Sequence, residues 1–465
     1  MWRRAVSACG EAEMPSPRGL PFIGTVLDIF AAGGTSRLHE YVDARHRQLG
    51  PVYRESIGPV KCVFVSDPSE MRRVFSLEGK CPRHLQPDPW VLYNKMYGCK
   101  RGLFFMDGEE WLRFRRTMNT LMLRPDSGDA VVKPIDTVAD ELVARWARKY
   151  SGDELPRLDR ELYRWAIDIM MAVLTGDKYL KHRLELEDVV DRFASVVHLI
   201  FEESARLSLI PAKMAAFLKI PAWKNFVSAI DEAISLAHDL TTRMIPECQN
   251  GEGLLGAILA EGIEDKDVIR IVADLFIGAG DTTANSTQWI LYLLARNPNL
   301  QEELHVELQK VYGCDEVAQL PLLRGVVKEA LRLYPTAPFL TRYLPQDNLI
   351  GGYHVPAGDL ILLSIYTSGR DEKNFPKPNE FWPHRWTRDS DGNYKGVSNC
   401  FASLPFSMGA RSCIGRKIAD LQMTLTTAKV IQRFKMELIE KKSIDMTLRL
   451  VPVPSRPVRL RLTER

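Results

Sequence analysis

Apolar residues recur every three or four positions from about residue 108 to residue 335, which predicts a long helical middle to the chain. Breaks are expected near Leu209-Ile-Pro211, at Ile220-Pro221 and at Gln249-Asn-Gly-Glu-Gly253. Ahead of this block, Pro15-Ser-Pro-Arg-Gly-Leu-Pro21 is a stiff, non-helical segment, and Val52 to Val65 reads as a hairpin turning at Gly58-Pro59. After Pro335 the texture changes to short strands and turns, first over Leu349 to Gly358 and then over Leu360-Ile-Leu-Leu363. A last helix is predicted from about Gly415 to Phe434, and Leu448 to Leu462 alternates like a proline-marked hairpin. No segment offers about 20 consecutive apolar residues, so the pattern predicts no membrane-spanning helix.

At about 150 residues per domain, 465 residues would suggest three domains. The chain shows no repeat, low-complexity run or compositional linker, so one large mixed domain over residues 15–465 is the better expectation. Residues 1–14 read as an N-terminal remnant or the end of a transit peptide, although Glu11 and Glu13 suit such a peptide poorly. With 62 basic and 59 acidic side chains the net charge is +3, too even to indicate a nucleic-acid partner. The 8 cysteines include no C-x-x-C pair and suggest reduced thiols in an intracellular compartment.

One cysteine has informative neighbours. In Phe406-Ser-Met-Gly-Ala-Arg-Ser-Cys-Ile-Gly415, glycines bracket Cys413 and an arginine stands two residues before it, just ahead of a predicted helix. A helix start beside a cation stabilises a thiolate, which then serves as nucleophile or metal ligand. The nucleophile would need a His and an Asn or Asp partner, and the 9 histidines lie scattered. A glycine-rich turn around a buried thiol is the plain alternative.

The stretch resembles, at every key position, the haem-binding loop of the cytochromes P450. The resemblance implies a mainly α fold with small β-sheets, a single domain enclosing haem b (iron protoporphyrin IX) between helices, with Cys413 as axial thiolate ligand of the iron. It assigns Arg411 to a haem propionate and Phe406 to shielding the sulfur. Glu329-Ala-Leu-Arg332 resembles the family's Glu-x-x-Arg, 84 residues before the cysteine, and Arg385 in Phe381-Trp-Pro-His-Arg-Trp386 is the third partner. A buried ion network of this kind acts as a register device for the cysteine loop. Trp111-Leu-Arg-Phe-Arg115 is similar to the family's Trp-x-x-x-Arg, which places Trp111 and Arg115 on a propionate, and Arg342 falls at a further propionate position. Arg370-Asp-Glu-Lys-Asn-Phe375 is also typical of the family.

Gly278-Ala279-Gly280-Asp281-Thr282 lies within an apolar helical run. Mid-helix glycines cost about 1 kcal/mol each relative to alanine, so such a weak spot suggests a ligand passing close by. It resembles the family's oxygen-activating motif with alanine in place of the second glycine. That gives Thr282 the hydrogen bond to iron-bound oxygen and Asp281 the relay of protons from water, and it implies monooxygenation of a substrate with O2.

Arg324 and Lys328, at i and i+4, together with Arg416-Lys417, fall where the mitochondrial class docks an acidic, adrenodoxin-like [2Fe–2S] ferredoxin, itself reduced by NADPH through ferredoxin reductase. The resemblance therefore implies a mitochondrial protein, a monomer, on the matrix face of the inner membrane. Leu207 to Leu218 is an apolar stretch that would either dip into the membrane interface or fold back on the core. Within this class the chain is most similar to the insect ecdysteroid hydroxylases. Tyr41-Val-Asp-Ala-Arg-His46, Arg101-Gly-Leu-Phe-Phe-Met106, Ala279 to Thr283 with Gln288-Trp289, and Arg342-Tyr-Leu-Pro-Gln-Asp347 look like those that hydroxylate C2, converting 2-deoxyecdysone to ecdysone. A flat sterol calls for a long apolar pocket, with Trp90, Phe201, Phe276, Ile277 and Phe339 as candidate lining. Alternatives are another ecdysteroid position, a xenobiotic, or a haem-binding sensor without turnover.

Overall fold

The computed structural model describes residues 13–124, 129–208, 210–249, 251–440 and 442–465; the leading segment 1–14 falls almost wholly outside them. The chain divides into two compact units. The first comprises Met1–Leu85, Ala337–Pro378 and Ser398–Ser412, and the second Gln86–Thr336, Asn379–Val397 and Cys413–Arg465.

The first unit is built on a four-stranded sheet. Val52–Ile57 pairs antiparallel with Val60–Val65 through the predicted turn, where Gly58 adopts φ +58. The second strand lies parallel to Leu360–Ser364, which pairs antiparallel with Phe339–Tyr343. Leu360–Ser364 is buried along its whole length because both of its faces are covered. Its period of two divides the core: Ile361 and Leu363 pack with Val63, Val65, Met71 and Val74, while Leu360 and Leu362 pack with Tyr53 and Phe64. The helix Pro68–Leu77 starts cleanly because Asp67 accepts from the amides of Ser69 and Glu70 and Pro68 sits at its first position.

The second unit is helical. Its longest element, Asp265–Arg296, has 32 residues and spans about 48 Å at 1.5 Å per residue. It packs on Leu158–Thr175, whose residues 165–175 are all buried, and on Pro221–Cys248. Gly108–Leu123, Pro321–Leu333 and Arg416–Arg433 carry most of the other motif residues. The expected helix breaks at Pro211, Pro221 and Gly253 fall at helix starts.

One expectation is corrected. The C-terminal alternation is not a single hairpin over 448–462. Met446–Arg449 pairs with Val451–Pro454 around Leu450, which takes φ +56. Leu460–Glu464 instead joins Phe434–Leu438 and Glu154–Leu155 in a separate sheet. Alternation alone cannot tell which strand a strand pairs with. Among the described residues no helix is long and apolar enough to cross a membrane.

Candidate active site

Helix Pro321–Leu333 carries the acid–base motif on its buried side. Gly325 permits close approach to the 383 region, since a Cβ there would stand 2.6 Å from the Pro383 carbonyl oxygen. Glu329 and Arg332 are fully buried, with Arg332 Nε 2.9 Å and Nη2 2.8 Å from the carboxylate. Arg385 Nε donates to Glu329 at 2.8 Å, Trp386 Nε1 at 2.9 Å and the Trp382 amide at 3.1 Å. The structure thus brings the three motif residues together, and adds two donors that the motif did not name. A buried indole N–H needs an acceptor, which is the signal that could have pointed to Trp386.

In the first unit, the chain leading to the cysteine is bent by two left-handed residues, Ser407 (φ +61) and Gly409 (φ +79). Glu78, just past the end of Pro68–Leu77, takes hold of this bend. Its Oε1 accepts from the Ala410 amide at 2.9 Å, and its Oε2 lies 2.5 Å from Arg342 Nε. Arg342, on strand Phe339–Tyr343, also donates Nη1 to the Thr341 carbonyl at 2.8 Å and Nη2 to the Met408 carbonyl at 3.4 Å. Arg411 Nε donates to the Pro82 carbonyl at 2.5 Å. Beside these arginines, burial pulls His84 down to about 3, and the charges of Arg411 and Arg342 add to the effect, so its ring is neutral. Phe406 is half-buried. Neither Glu78 nor His84 emerged from the sequence, because their partners lie far along the chain, 264 positions from Glu78 to Arg342.

In the second unit, Cys413 precedes helix Arg416–Arg433. Its side chain has accessible surface, yet enough protein surrounds it for burial to push its thiol upward. The two observations agree if it looks into a recess rather than across an outer surface. A hydrogen bond from the Gly415 backbone and the charges of Arg115 and Arg416 act in the opposite sense, toward the thiolate. Arg115 and Trp111 lie one turn apart on Gly108–Leu123 and both are buried. A Cβ at Gly415 would meet nothing within 4 Å.

The long helix Asp265–Arg296 is buried on most sides, but Leu275, Gly278, Ala279 and Thr282 form an open stripe at i, i+3, i+4 and i+7. The two glycines of the motif have different tasks. A Cβ at Gly278 would meet nothing within 4 Å, whereas one at Gly280 would stand 3.1 Å from Ile167 Cδ1 on Leu158–Thr175. Only Gly278 keeps the stripe bare; Gly280 allows two helices to close. Thr282 Oγ1 donates to the Gly278 carbonyl at 2.7 Å. Asp281 points away from the stripe, is 2% exposed, and has one carboxyl oxygen without a partner. Burial pushes it up to about 8, against the opposing influence of Asn285 and Arg449.

Most of the candidate pocket residues lie packed in the interior. Phe276 is fully buried edge-on to Phe193, and Ile277 is 4% exposed; Leu275, one position earlier, is the residue on the open stripe. Trp90 is likewise core, donating Nε1 to Ser204 Oγ at 2.9 Å amid Phe105, Phe201 and Phe226. Phe201 belongs to that cluster, and Phe339 is half-buried on its strand. The sequence missed a clamp on the same helix: Asp274 holds the buried Arg101 and accepts from the Gly102 amide at 2.6 Å.

Arg324 and Lys328 are half-buried on one face, and both bear on the Asp420 carboxyl, which burial raises and they lower. Lys328 Nζ lies 5.6 Å from the ring centres of both Trp386 and Tyr394. Arg416 is exposed, while Lys417 Nζ donates to the Arg124 carbonyl. In the 207–218 stretch, the helix Ala212–Phe217 buries Ala212 and Ala215 and exposes Met214, Phe217 and Leu218, with Phe217 84% exposed.

These residues fit an iron porphyrin. Cys413 offers a soft sulfur ligand with cations near it, and the central helix offers a face bare of side chains beyond Cβ at Gly278 and Ala279. In the first unit, among the described residues, three of the five guanidinium N–H groups of Arg342 are engaged.

Residues 14–462 match the family model for Cytochrome P450. The chain is 38% identical to Cytochrome P450 315a1, mitochondrial, of Drosophila melanogaster, over 97% of this chain and 88% of that protein. It is 30% identical to the mitochondrial cholesterol side-chain cleavage enzyme of Sus scrofa, over 96% and 88%. The solved structure of retinoic acid-bound cyanobacterial CYP120A1 superposes with a TM-score of 0.78 at 20% identity, covering 97% of this chain and 99% of that one, a likeness of fold.

Proposed function

Because the chain belongs to the cytochrome P450 family and is a haem monooxygenase of the mitochondrial type related to steroid hydroxylases, we propose that it hydroxylates an ecdysteroid at C2, converting 2-deoxyecdysone to ecdysone. The four stretches similar to the insect ecdysteroid 2-hydroxylases support this substrate, as does 38% identity to a mitochondrial P450 of an insect. The observation that carries the reaction type is the open stripe with Thr282 on it, next in the chain to the buried carboxyl of Asp281.

Haem bound through Cys413 supplies O2 activation, so that O2, two electrons, two protons and a C–H bond yield an alcohol and water. Arg115 and Arg416 favour the thiolate that Cys413 must present. Phe406 would shield the sulfur of bound haem's ligand, and Trp111, Arg115, Arg342 and Arg411 would hold its propionates. Burial favours the protonated form of Asp281, and Thr282 presents its hydroxyl on the open side of the helix. Asp281 relays protons from water toward the oxygen that Thr282 hydrogen-bonds. Thr282→Ala should therefore waste NADPH as peroxide, raising the ratio of NADPH consumed to product formed; an unchanged ratio rejects that role.

Electrons come from NADPH through ferredoxin reductase and an adrenodoxin-like [2Fe–2S] ferredoxin, which docks on Arg324, Lys328, Arg416 and Lys417. In this proposal residues 15–465 act as one monomeric domain on the matrix face of the inner mitochondrial membrane, with Met214, Phe217 and Leu218 touching the lipid. Reconstitution with ferredoxin, its reductase, NADPH and 2-deoxyecdysone tests the whole reading. Ecdysone as product supports it. Oxidation at another carbon, or turnover only of a xenobiotic, rejects the substrate. Only a haem protein that turns over no sterol, lipid or xenobiotic would favour a sensor over the enzyme.

A further inference from the structure

Glu78 is the meeting point of three chain segments in the first unit. It follows helix Pro68–Leu77, takes Arg342 Nε from strand Phe339–Tyr343 at 2.5 Å, and takes the Ala410 amide from the cysteine loop at 2.9 Å. Both members of the Glu78–Arg342 pair are 4% exposed. Arg342 in turn reaches the Met408 carbonyl of the same loop, and its guanidinium lies 4.9 Å from the Phe75 ring centre. The loop has yielded its own volume to this contact: a Cβ at Gly409 would come within 2.2 Å of Glu78 Oε1, at a residue whose φ of +79 already favours glycine.

The residues so held are Arg342 and the arm of the loop that ends at Cys413. Charge-assisted hydrogen bonds to a buried carboxylate are strong, and groups that orient ligands of a metal site commonly tune it. We propose that Glu78 is a positioning residue for the haem site: it aims Arg342, leaving two of its N–H groups for a propionate, and it pins the Ala410 end of the loop that presents Cys413. This rests on the haem-thiolate reading but goes beyond it, because the motif residues do not include Glu78. An ordinary surface ion pair would be exposed and worth little; this one is buried and shares its carboxylate with a backbone amide of the ligand loop.

The test uses the full-length holoprotein and three variants. Glu78→Ala removes both contacts. Glu78→Gln keeps an acceptor for the Ala410 amide but drops the charge facing Arg342. Glu78→Asp keeps the charge on a shorter arm. Haem release is followed by transfer to excess apomyoglobin, the thiolate by the reduced-CO absorption band, and the iron by its midpoint potential. Loss of an orienting partner of a metal site typically costs about 10–100-fold. Glu78→Ala should release haem at least about 10-fold faster and lose part of the thiolate-type band, with Glu78→Asp recovering some of both. Glu78→Gln should shift the potential upward, since Arg342 then faces the haem with its charge uncompensated. Should Glu78→Ala fail to fold, the Gln and Asp variants decide the matter. Wild-type haem release, band and potential in Glu78→Gln would overturn the proposal. Absence of a thiolate band in the wild-type holoprotein would instead overturn the haem-thiolate reading itself.

Discussion

Arg101 and Asp274 form a buried ion pair across 173 positions of sequence, with Arg101 Nε 2.8 Å from Asp274 Oδ1. The guanidinium lies 5.0 Å from the ring centres of both Trp90 and Phe105. Gly102 is drawn in behind it, so close that a Cβ would lie 2.9 Å from the aspartate side chain. The pair fastens the 101–106 loop to the central helix one turn before Gly278.

Breaking this pair should cost about 3–5 kcal/mol, because it strands a buried charge. Asp274→Asn is expected to show that loss in urea denaturation of the holoprotein. It should also weaken sterol binding, read from the substrate-induced spectral shift, since the loop loses its attachment beside Leu275. A variant with wild-type stability would show that water replaces the carboxylate.

Asp281 makes stability depend on pH in a definite direction. Its folded value, about 8, lies above the ordinary 3.8, so the native state holds a proton that the unfolded chain has released. Its contribution is full below about pH 4, declines as pH rises through the interval, and is gone above about 8. The difference in stability between wild type and Asp281→Asn should fall from pH 5 to pH 8. A difference that stays constant over that range would mean the carboxyl is ionised throughout.

The two motif glycines should respond oppositely to a methyl group. Gly278→Ala adds helix propensity without a clash and should stabilise the haem-free protein by up to about 1 kcal/mol while weakening sterol binding. Gly280→Ala presses on Ile167 in a packed helix contact and should destabilise by about 1–3 kcal/mol. Thermal denaturation of the two variants, each with a sterol titration, separates these effects.

Charge reversal at the docking face tests electron supply. Lys328→Glu should raise the ferredoxin KM with little change in kcat at saturating ferredoxin, and should flatten the salt dependence of the rate. Unchanged salt dependence would place the ferredoxin elsewhere.

The motif chemistry was legible in the sequence because it is local. Glu329 and Arg332 share one helix face, Thr282 reaches its i−4 carbonyl, and the bend before Cys413 needs its glycine within five residues. What was hidden is non-local. Glu78 meets Arg342, and Arg101 meets Asp274, only after folding. The burial of Phe276 was hidden for a similar reason: periodicity identifies a helix but not which of its faces stays open, and that is set by the helices on the other sides. The C-terminal strands failed for the same reason, since Leu460–Glu464 finds its partners at 434–438 and 154–155.

The cluster around Glu329 also bears on how the chain is made. Arg332 is available within one helical turn, but Arg385, Trp386 and the Trp382 amide follow 53 to 57 positions later. Until those residues leave the ribosome, Glu329 has only part of its final set of donors, and burying it so poorly satisfied is unfavourable. Full burial of the helix Pro321–Leu333 is therefore expected only once residues 382–386 have come into place beside it.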